Sequence, residues 1–392
     1  MRYADRMNIL GTETAFEVLA KARALEAKGR TIVHLEIGEP DFDTPAPIRA
    51  AAVRAIEEGF THYTPSPGLP EIREVIAKYI SQDRGLPVTA DQVVVTPGGK
   101  PVITFGILAT VNPGDEVIVP NPGFPIYESA VRFAGGTPVS LLLREERGFR
   151  FGAEDIEKLI TPRTKMVILN SPHNPTGSVL TPKDLDEIAS LLRERDIWVL
   201  SDEIYSKIIY EGTHESIATR PGMAERTILM DGFSKTYAMT GWRLGYGVMN
   251  PTVAKHVARL ATNVYSCATA FVQRAASVAL GGSQAEAEAM VAQFRRRRDV
   301  IIEGLKAIPG ITCTKPAGAF YAFPNIRALG MKSADAERVL LEEAGVAALS
   351  GTAFGSFGEG YLRFSYANSV EQIQEGMKRL GSLVQGQAKA AR

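Results

Sequence analysis

The chain has 392 residues, enough to bury a large core and to divide into about two domains. Acidic and basic residues balance at 44 each, so the composition offers no basic face to nucleic acid or to an anionic membrane. Its two cysteines, Cys267 and Cys313, make no disulfide framework and stand in no metal-type cluster with histidine, which fits a reducing cytoplasm.

The start, Met1-Arg2-Tyr3-Ala4-Asp5-Arg6, lacks the apolar stretch of a signal peptide. No apolar run approaches the roughly 18 residues of a membrane-crossing helix, so a soluble protein is expected. Residues 1–13 read as an irregular arm. Thr14 with Glu17 has capping-box spacing and predicts a helix that Gly29 closes. A short strand over 33–37 then runs into Gly38-Glu39-Pro40-Asp41-Phe42-Asp43-Thr44-Pro45. Turn formers dominate this loop, and a leading glycine lets a ligand approach the backbone; a plain connection into a helix over 46–58 reads equally well. Next come the Pro-rich loop His62-Tyr63-Thr64-Pro65-Ser66-Pro67-Gly68 and an amphipathic helix to about residue 83.

From residue 92 to about 249, short apolar stretches alternate with helical pattern. The stretches at 93–96, 116–119, 138–142, 165–169, 197–200, 227–230 and 242–249 are apolar throughout, as strands buried on both faces are. They predict an α/β fold: one large, mostly parallel seven-stranded sheet between helices, with ligands beyond the carboxyl ends of the strands. Residues 251–280 read as helical. A long helix over 283–308 leads into a second, smaller unit with strands over 318–325 and 361–367. The run Arg295–Arg298 reads as a solvated helix face, and the glycine-rich stretch 355–360 leads into a strand rather than a helix, so it is no dinucleotide fingerprint.

The residues able to carry chemistry fall in the loops after these stretches. Lys235, in Asp231-Gly232-Phe233-Ser234-Lys235-Thr236-Tyr237, lies on a turn between interior strands, where a lone ammonium is costly unless paired or used. Lysine shifts its pKa readily when desolvated and forms Schiff bases with aldehydes. Arg243 supplies a fixed fork suited to a phosphate. Thr96-Pro97-Gly98-Gly99-Lys100 joins a strand to a helix, where small residues let backbone N–H groups face an anion. Phe124 can stack on a planar ring, and Asn174, in Asn170-Ser171-Pro172-His173-Asn174-Pro175-Thr176-Gly177, can donate its amide to a ring oxygen. Asp202 closes a buried strand and needs a partner, with Tyr205 close behind; an N-cap role competes. Arg363 alternates with apolar residues in 361–367, as an edge-strand arginine also would.

Taken together and in this order, the Gly-Glu-Pro-Asp-Phe loop, the Tyr63 loop, the glycine turn, the Asn-Pro-Thr-Gly loop, the Asp-x-x-Tyr pair, Ser234-Lys235 with Gly-Trp-Arg-x-Gly-Tyr, and Arg363 resemble the fold-type I, class I/II aminotransferases, aspartate aminotransferase-like. The resemblance spans nearly the whole chain. It implies pyridoxal 5'-phosphate bound through Lys235, with its phosphate held by Gly98, Gly99, Lys100, Ser234 and Arg243. It also implies Phe124 on the ring, Asn174 and Tyr205 at the phenolic oxygen, and Asp202 at the pyridinium nitrogen. Gly38, Asn174 and Arg363 would hold the substrate α-carboxylate, Arg363 as a bidentate fork that lysine would replace poorly. Tyr63 would reach the phosphate of a partner subunit, so a homodimer is expected. The resemblance also implies a division into 1–47, an arm and part of a small domain; 48–283, the large domain; and 284–392, the rest of the small domain. Gly232 departs from the pattern, since relatives often carry serine there. Lys100 is compatible with an acidic substrate side chain, which favours aspartate with 2-oxoglutarate. Phe124 and the lack of an obvious second arginine leave alanine and aromatic donors open. β-Lyases and cyclopropane-forming synthases share the same lysine apparatus, and ligand-sensing regulators of similar fold need an N-terminal winged-helix segment.

Overall fold

The computed structural model describes residues 2–390. Twelve strands are present among them: β1 (Val33–His34), β2 (Val93–Thr96), β3 (Glu116–Asn121), β4 (Thr137–Leu142), β5 (Thr164–Asn170), β6 (Trp198–Asp202), β7 (Thr227–Gly232), β8 (Gly245–Val248), β9 (Tyr321–Ala322), β10 (Val346–Ala347), β11 (Leu349–Ser350) and β12 (Leu362–Ser365). Seven of them form one sheet in the order β2-β8-β7-β6-β5-β3-β4, in which only β8 runs antiparallel to its neighbours. This is the α/β architecture with a mostly parallel sheet that the buried apolar stretches imply.

Period-two alternation divides the side chains of each strand between two cores. Val117, Val119, Met166, Ile168, Leu200, Ile228 and Met230 pack on one face with Val102, Ile103, Val131 and Val257, from helices over Lys100–Thr110, Ile126–Phe133 and Pro251–Val264. On the other face, Ile118, Val167, Leu169 and Val199 meet Leu185 and Ile188 of the helix Pro182–Leu192. Val93, Val95, Leu229 and Val248 meet Ile76 and Val272 there. Covering both faces leaves only the strand ends open to a ligand.

A separate core gathers the long helix Ala285–Lys306 and the helix Val370–Ala390 around β1, β9, β10 and β12. β1 pairs in parallel with β10, so an early segment joins the late ones, and β12 lies between β11 and β9. Among the described residues no helix is long and apolar enough to cross a membrane.

Several elements differ from the sequence expectation. The last strand of the large sheet begins at Gly245 rather than 242, because Thr240–Trp242 form a 3-10 turn and Arg243 adopts the left-handed region, φ 52°. Three stretches read as strands, 33–37, 318–325 and 361–367, shrink to 33–34, 321–322 and 362–365 because only those residues find ladder partners. The 251–280 helix is broken into Pro251–Val264 and Ala270–Gly281, with Ser266 between them at φ 67°. Glu13, not Thr14, is the N-cap of the first helix, Thr14–Glu26; no capping box forms and the Thr14 hydroxyl is buried without a partner among the described residues.

Arg295 and Arg296 are exposed, but Arg297 and Arg298 are buried, which corrects the reading of the whole run as a solvated face. Arg297 grips both carboxylate oxygens of Asp41 at 2.6 and 2.9 Å and lies over Phe42, so the long helix clamps the 38–45 loop. Arg298 donates to the Pro316 carbonyl at 3.1 Å and covers Tyr210. Buried arginines of this kind persist because carboxylates and carbonyls pair their guanidinium groups.

Gly232 pairs with Gly245 at the end of the β7–β8 ladder, and a Cβ at 232 would lie 2.9 Å from the Gly245 Cα. Any side chain there, the serine of relatives included, requires the strands to part. Gly232→Ala should therefore destabilise the fold by about 1–3 kcal/mol, read as a lower midpoint in urea unfolding. An unchanged midpoint would mean the two strands separate without cost.

Candidate active site

The carboxyl ends of β2, β3, β5, β6 and β7 share one edge of the sheet, and the pairing register sets Asn170 directly beside Asp202 there. Beyond that edge lies a cavity of about 610 Å³. Gly38, Gly99, Lys100, Phe124, Asn174, Asp202, Tyr205, Ser234, Lys235, Arg243 and Arg363 all line it. Gly98 lies just behind, against Arg243. Tyr63 stands apart, 90 % exposed on its loop.

Asp202 is 2 % exposed at the end of β6. Its Oδ2 accepts from the Tyr127 hydroxyl at 2.6 Å and its Oδ1 from the Ile204 N–H at 3.2 Å, and it has no ion-pair partner among the described residues. Burial pushes its pKa up to about 7, although both hydrogen bonds pull the other way. Glu203 next to it shows the contrast. Burial would raise it too, but His214, Arg84 and Ser216 hold it down to about 2. Its carboxylate meets His214 Nε2 at 2.7 Å and Arg84 Nε at 3.0 Å, and Arg84 also reaches Asp231 at 2.8 Å. One strand end thus carries a fully partnered carboxylate on one face and a cation-poor one on the cavity face.

Lys235 follows β7 on a turn, and its Nζ donates to the Gly38 carbonyl at 2.5 Å. Its nitrogen lies 6.0 Å from the Tyr205 ring centre and 5.8 Å from that of Phe320. Burial pulls the ammonium down to about 8, against the Glu39 charge that favours it; the Arg363 charge lowers it further. Tyr205 is held by a 2.7 Å hydrogen bond to the Tyr321 hydroxyl, and its phenol is pushed well above the usual range by burial and by that neighbour.

The helix Lys100–Thr110 opens at the cavity with Gly99 as N-cap. Pro101 has no N–H and those of Val102 and Ile103 donate to the Gly99 carbonyl at 3.0 and 3.4 Å, so the N–H groups of Gly99 and Lys100 are the ones left for a ligand at the wall. Gly98 has φ 86°, and a Cβ there would lie 2.3 Å from the Arg243 guanidinium; only glycine lets the turn and that cation share the space. Arg243 itself is anchored by Nη1 to the Thr240 carbonyl at 2.7 Å. Lys100 bends over Phe124, 5.9 Å from its ring centre, and is ion-paired with Glu13.

Arg363 comes from β12, sandwiched between the rings of Tyr321 and Phe354 at 4.5 and 4.9 Å. It donates to the Glu36 carbonyl and, at 3.3 Å, to the Asn174 amide oxygen, while its buried Nε has no partner among the described residues. Asn174 is buried, and the Asn170 side chain accepts from its backbone N–H at 3.0 Å. His173 is buried and held to Thr176, with burial pulling it down to about 3, so it stays neutral and structural.

Sequence reasoning did not single out Tyr127, Asn170, Tyr321 or Glu13 as site residues. Tyr127 lies three residues after Phe124, and Asn170 opens the Asn170–Gly177 stretch that contains Asn174, so both stand next to residues the sequence does mark. Nothing local marks Tyr321 or Glu13, whose partners are distant in the chain.

The chain matches the family model of aminotransferase class I and II over residues 30–380. It is 40 % identical over 384 residues to the aspartate aminotransferase of Pyrococcus abyssi, covering 97 % of both chains. It is 39 % identical to aromatic-amino-acid aminotransferase 2 of Thermococcus litoralis, again over 97 % of each. Among solved structures, the aspartate aminotransferase of Thermus thermophilus with maleate superposes with a TM-score of 0.94 at 38 % identity, covering 98 % of this chain and all of that one, 100 %.

The depressed Lys235 ammonium has a consequence for stability. Below about pH 8 the amine is charged in both folded and unfolded chains, and the folded state bears the desolvation penalty. Between about 8 and the usual 10.5 the unfolded chain holds more protons, so rising pH stabilises the fold. Urea unfolding of cofactor-stripped protein should show wild type gaining on Lys235→Met across this window. Parallel pH profiles for the two proteins would contradict the desolvated amine.

Proposed function

The chain belongs to the class I and II aminotransferases, a family that uses pyridoxal phosphate, and from that premise we propose that it moves the amino group of an acidic L-amino acid, aspartate first, to a 2-oxo acid such as 2-oxoglutarate. The observation that carries this reading is a cavity holding a buried carboxyl without a cation, Asp202, together with a desolvated amine, Lys235, and a buried guanidinium with an orphaned donor, Arg363. Each lacks the partner that a pyridinium, an aldehyde and a carboxylate would supply.

The donor set fits the cofactor. Gly98, Gly99, Ser234 and Arg243, with the helix N-terminus, would hold its phosphate; Phe124 would lie on its ring, Asn174 and Tyr205 at its phenolic oxygen, and Asp202 at its ring nitrogen. When bound, pyridoxal phosphate supplies an aldehyde that takes up amines and a cationic ring that withdraws electrons. Asp202 would keep that ring nitrogen protonated by presenting a carboxylate withdrawn from water. Arg363 orients the substrate through its α-carboxylate, with Gly38 and Asn174 closing the pocket around it. Lys235, neutral above about pH 8, takes the α-proton on Nζ and returns it within the same cavity. The Gly38 carbonyl and the flanking rings of Tyr205 and Phe320 hold that nitrogen in place.

The reading extends to architecture. A large domain over 48–283 and a small one from 1–47 with 284–392 is supported by the pairing of β1 with β10 and by the separate core around the long helix. A homodimer is supported by the outward-turned Tyr63, whose loop is fastened through Ser66 to Thr262 while the ring remains free to enter a partner's site.

Lys235→Ala should abolish both amine transfer and the cofactor's shifted absorbance while leaving the fold intact by circular dichroism. Retained turnover would defeat the assignment. Arg363→Lys should lower kcat/KM for aspartate by about 10²-fold, the loss expected when a buried bidentate contact worth about 3 kcal/mol goes. A value near wild type would place the α-carboxylate elsewhere.

A further inference from the structure

The N-terminal segment carries a carboxylate into the cavity. Glu13 precedes the helix Thr14–Glu26 and, although it is the N-cap, makes no capping hydrogen bond; its carboxylate instead pairs with Lys100. The segment is tied down by the Gly11 N–H, which donates to Ser129 Oγ at 3.0 Å. Glu13, Phe16, Lys100 and Phe124 all line the cavity, the Lys100 ammonium lies over the Phe124 ring, and the two ion-paired side chains are only 24 % and 46 % exposed.

Resting on the aminotransferase reading above, we propose that Glu13 is a built-in counter-carboxylate that sets which side chains the site accepts. Lys100 is the cavity cation available to the distal carboxylate of an acidic substrate, and the chain's own carboxylate already occupies it. An acidic side chain must displace Glu13, and the displaced charge stays nearby, where like charges repel. An apolar side chain meets a neutral ion pair flanked by Phe16 and Phe124 and displaces nothing. One residue thereby lowers affinity for dicarboxylates while leaving aromatic and aliphatic ligands untouched, so the site serves both classes.

The test uses the cofactor-loaded protein and two unreactive probes, succinate and 3-phenylpropionate, with binding read by calorimetry. Glu13→Gln should tighten succinate by about two- to fivefold, the range a partly exposed ion pair spans, and leave 3-phenylpropionate unchanged. The kcat/KM ratio of aspartate to phenylalanine should rise by the same factor. In a Lys100→Met background the Glu13→Gln effect should vanish, since the two side chains act as one pair. Equal shifts for both probes, no shift for succinate, or an effect that survives without Lys100 would overturn the proposal. If amine transfer persists while the probe ratio does not move, the Glu13 role fails alone; if no donor supports amine transfer at all, the reading beneath it fails too.

Discussion

The carboxyl of Asp202 is withdrawn from water at the end of a central strand, with a tyrosine hydroxyl and one backbone N–H as its hydrogen-bond donors. A buried carboxylate so weakly compensated is expensive, which is why its pKa is driven up to about 7. The fold accepts this cost at the cavity and nowhere else on that strand end. A bound cationic ring would repay it, and the same cavity is lined by the Lys235 amine, by Gly99 at the helix N-terminus with Arg243, and by Arg363.

What keeps Asp202 in place is the neighbouring residue's opposite fate. Glu203 points to the other face of the sheet, into Arg84, His214, Ser201 and Ser216. Arg84 continues to Asp231, the residue at the end of β7 that leads into the Lys235 turn. Strand ends carrying Asp202 and Lys235 are therefore cross-linked from behind by a buried ionic network. Breaking a network of this kind by removing one partner costs about 3–5 kcal/mol, far more than exposed pairs contribute. The Arg297–Asp41 clamp does the same for the 38–45 loop, fixing the carbonyl that receives the Lys235 amine.

The large sheet is legible in the sequence because strands buried on both faces are apolar without interruption, and six of the seven start within a residue of where the pattern places them. The seventh is misplaced by a backbone event, the left-handed Arg243, that no side-chain pattern announces. Short strands such as 33–34 and 321–322 depend on partners far along the chain, so their apolar flanks overstate their length. The motif residues Lys235, Asp202, Asn174 and Arg363 can be picked out singly, but their meeting around one cavity depends on sheet register and on β12. Contacts between remote polar side chains leave no local trace: Glu13 with Lys100, Tyr321 with Tyr205, and Asp41 with Arg297 all become visible only in three dimensions. A run of four arginines reads as solvated for the same reason, since two of its partners lie elsewhere in the chain.

In the proposed function the Lys235 amine is the one that would meet the cofactor's aldehyde, with Asp202 at the far end of the ring. Borohydride treatment of cofactor-loaded protein, followed by mass mapping of its peptides, addresses this directly. The cofactor's mass should appear on the peptide carrying Lys235 and on no other. The same mass on a peptide carrying Lys100, or on none, would contradict it.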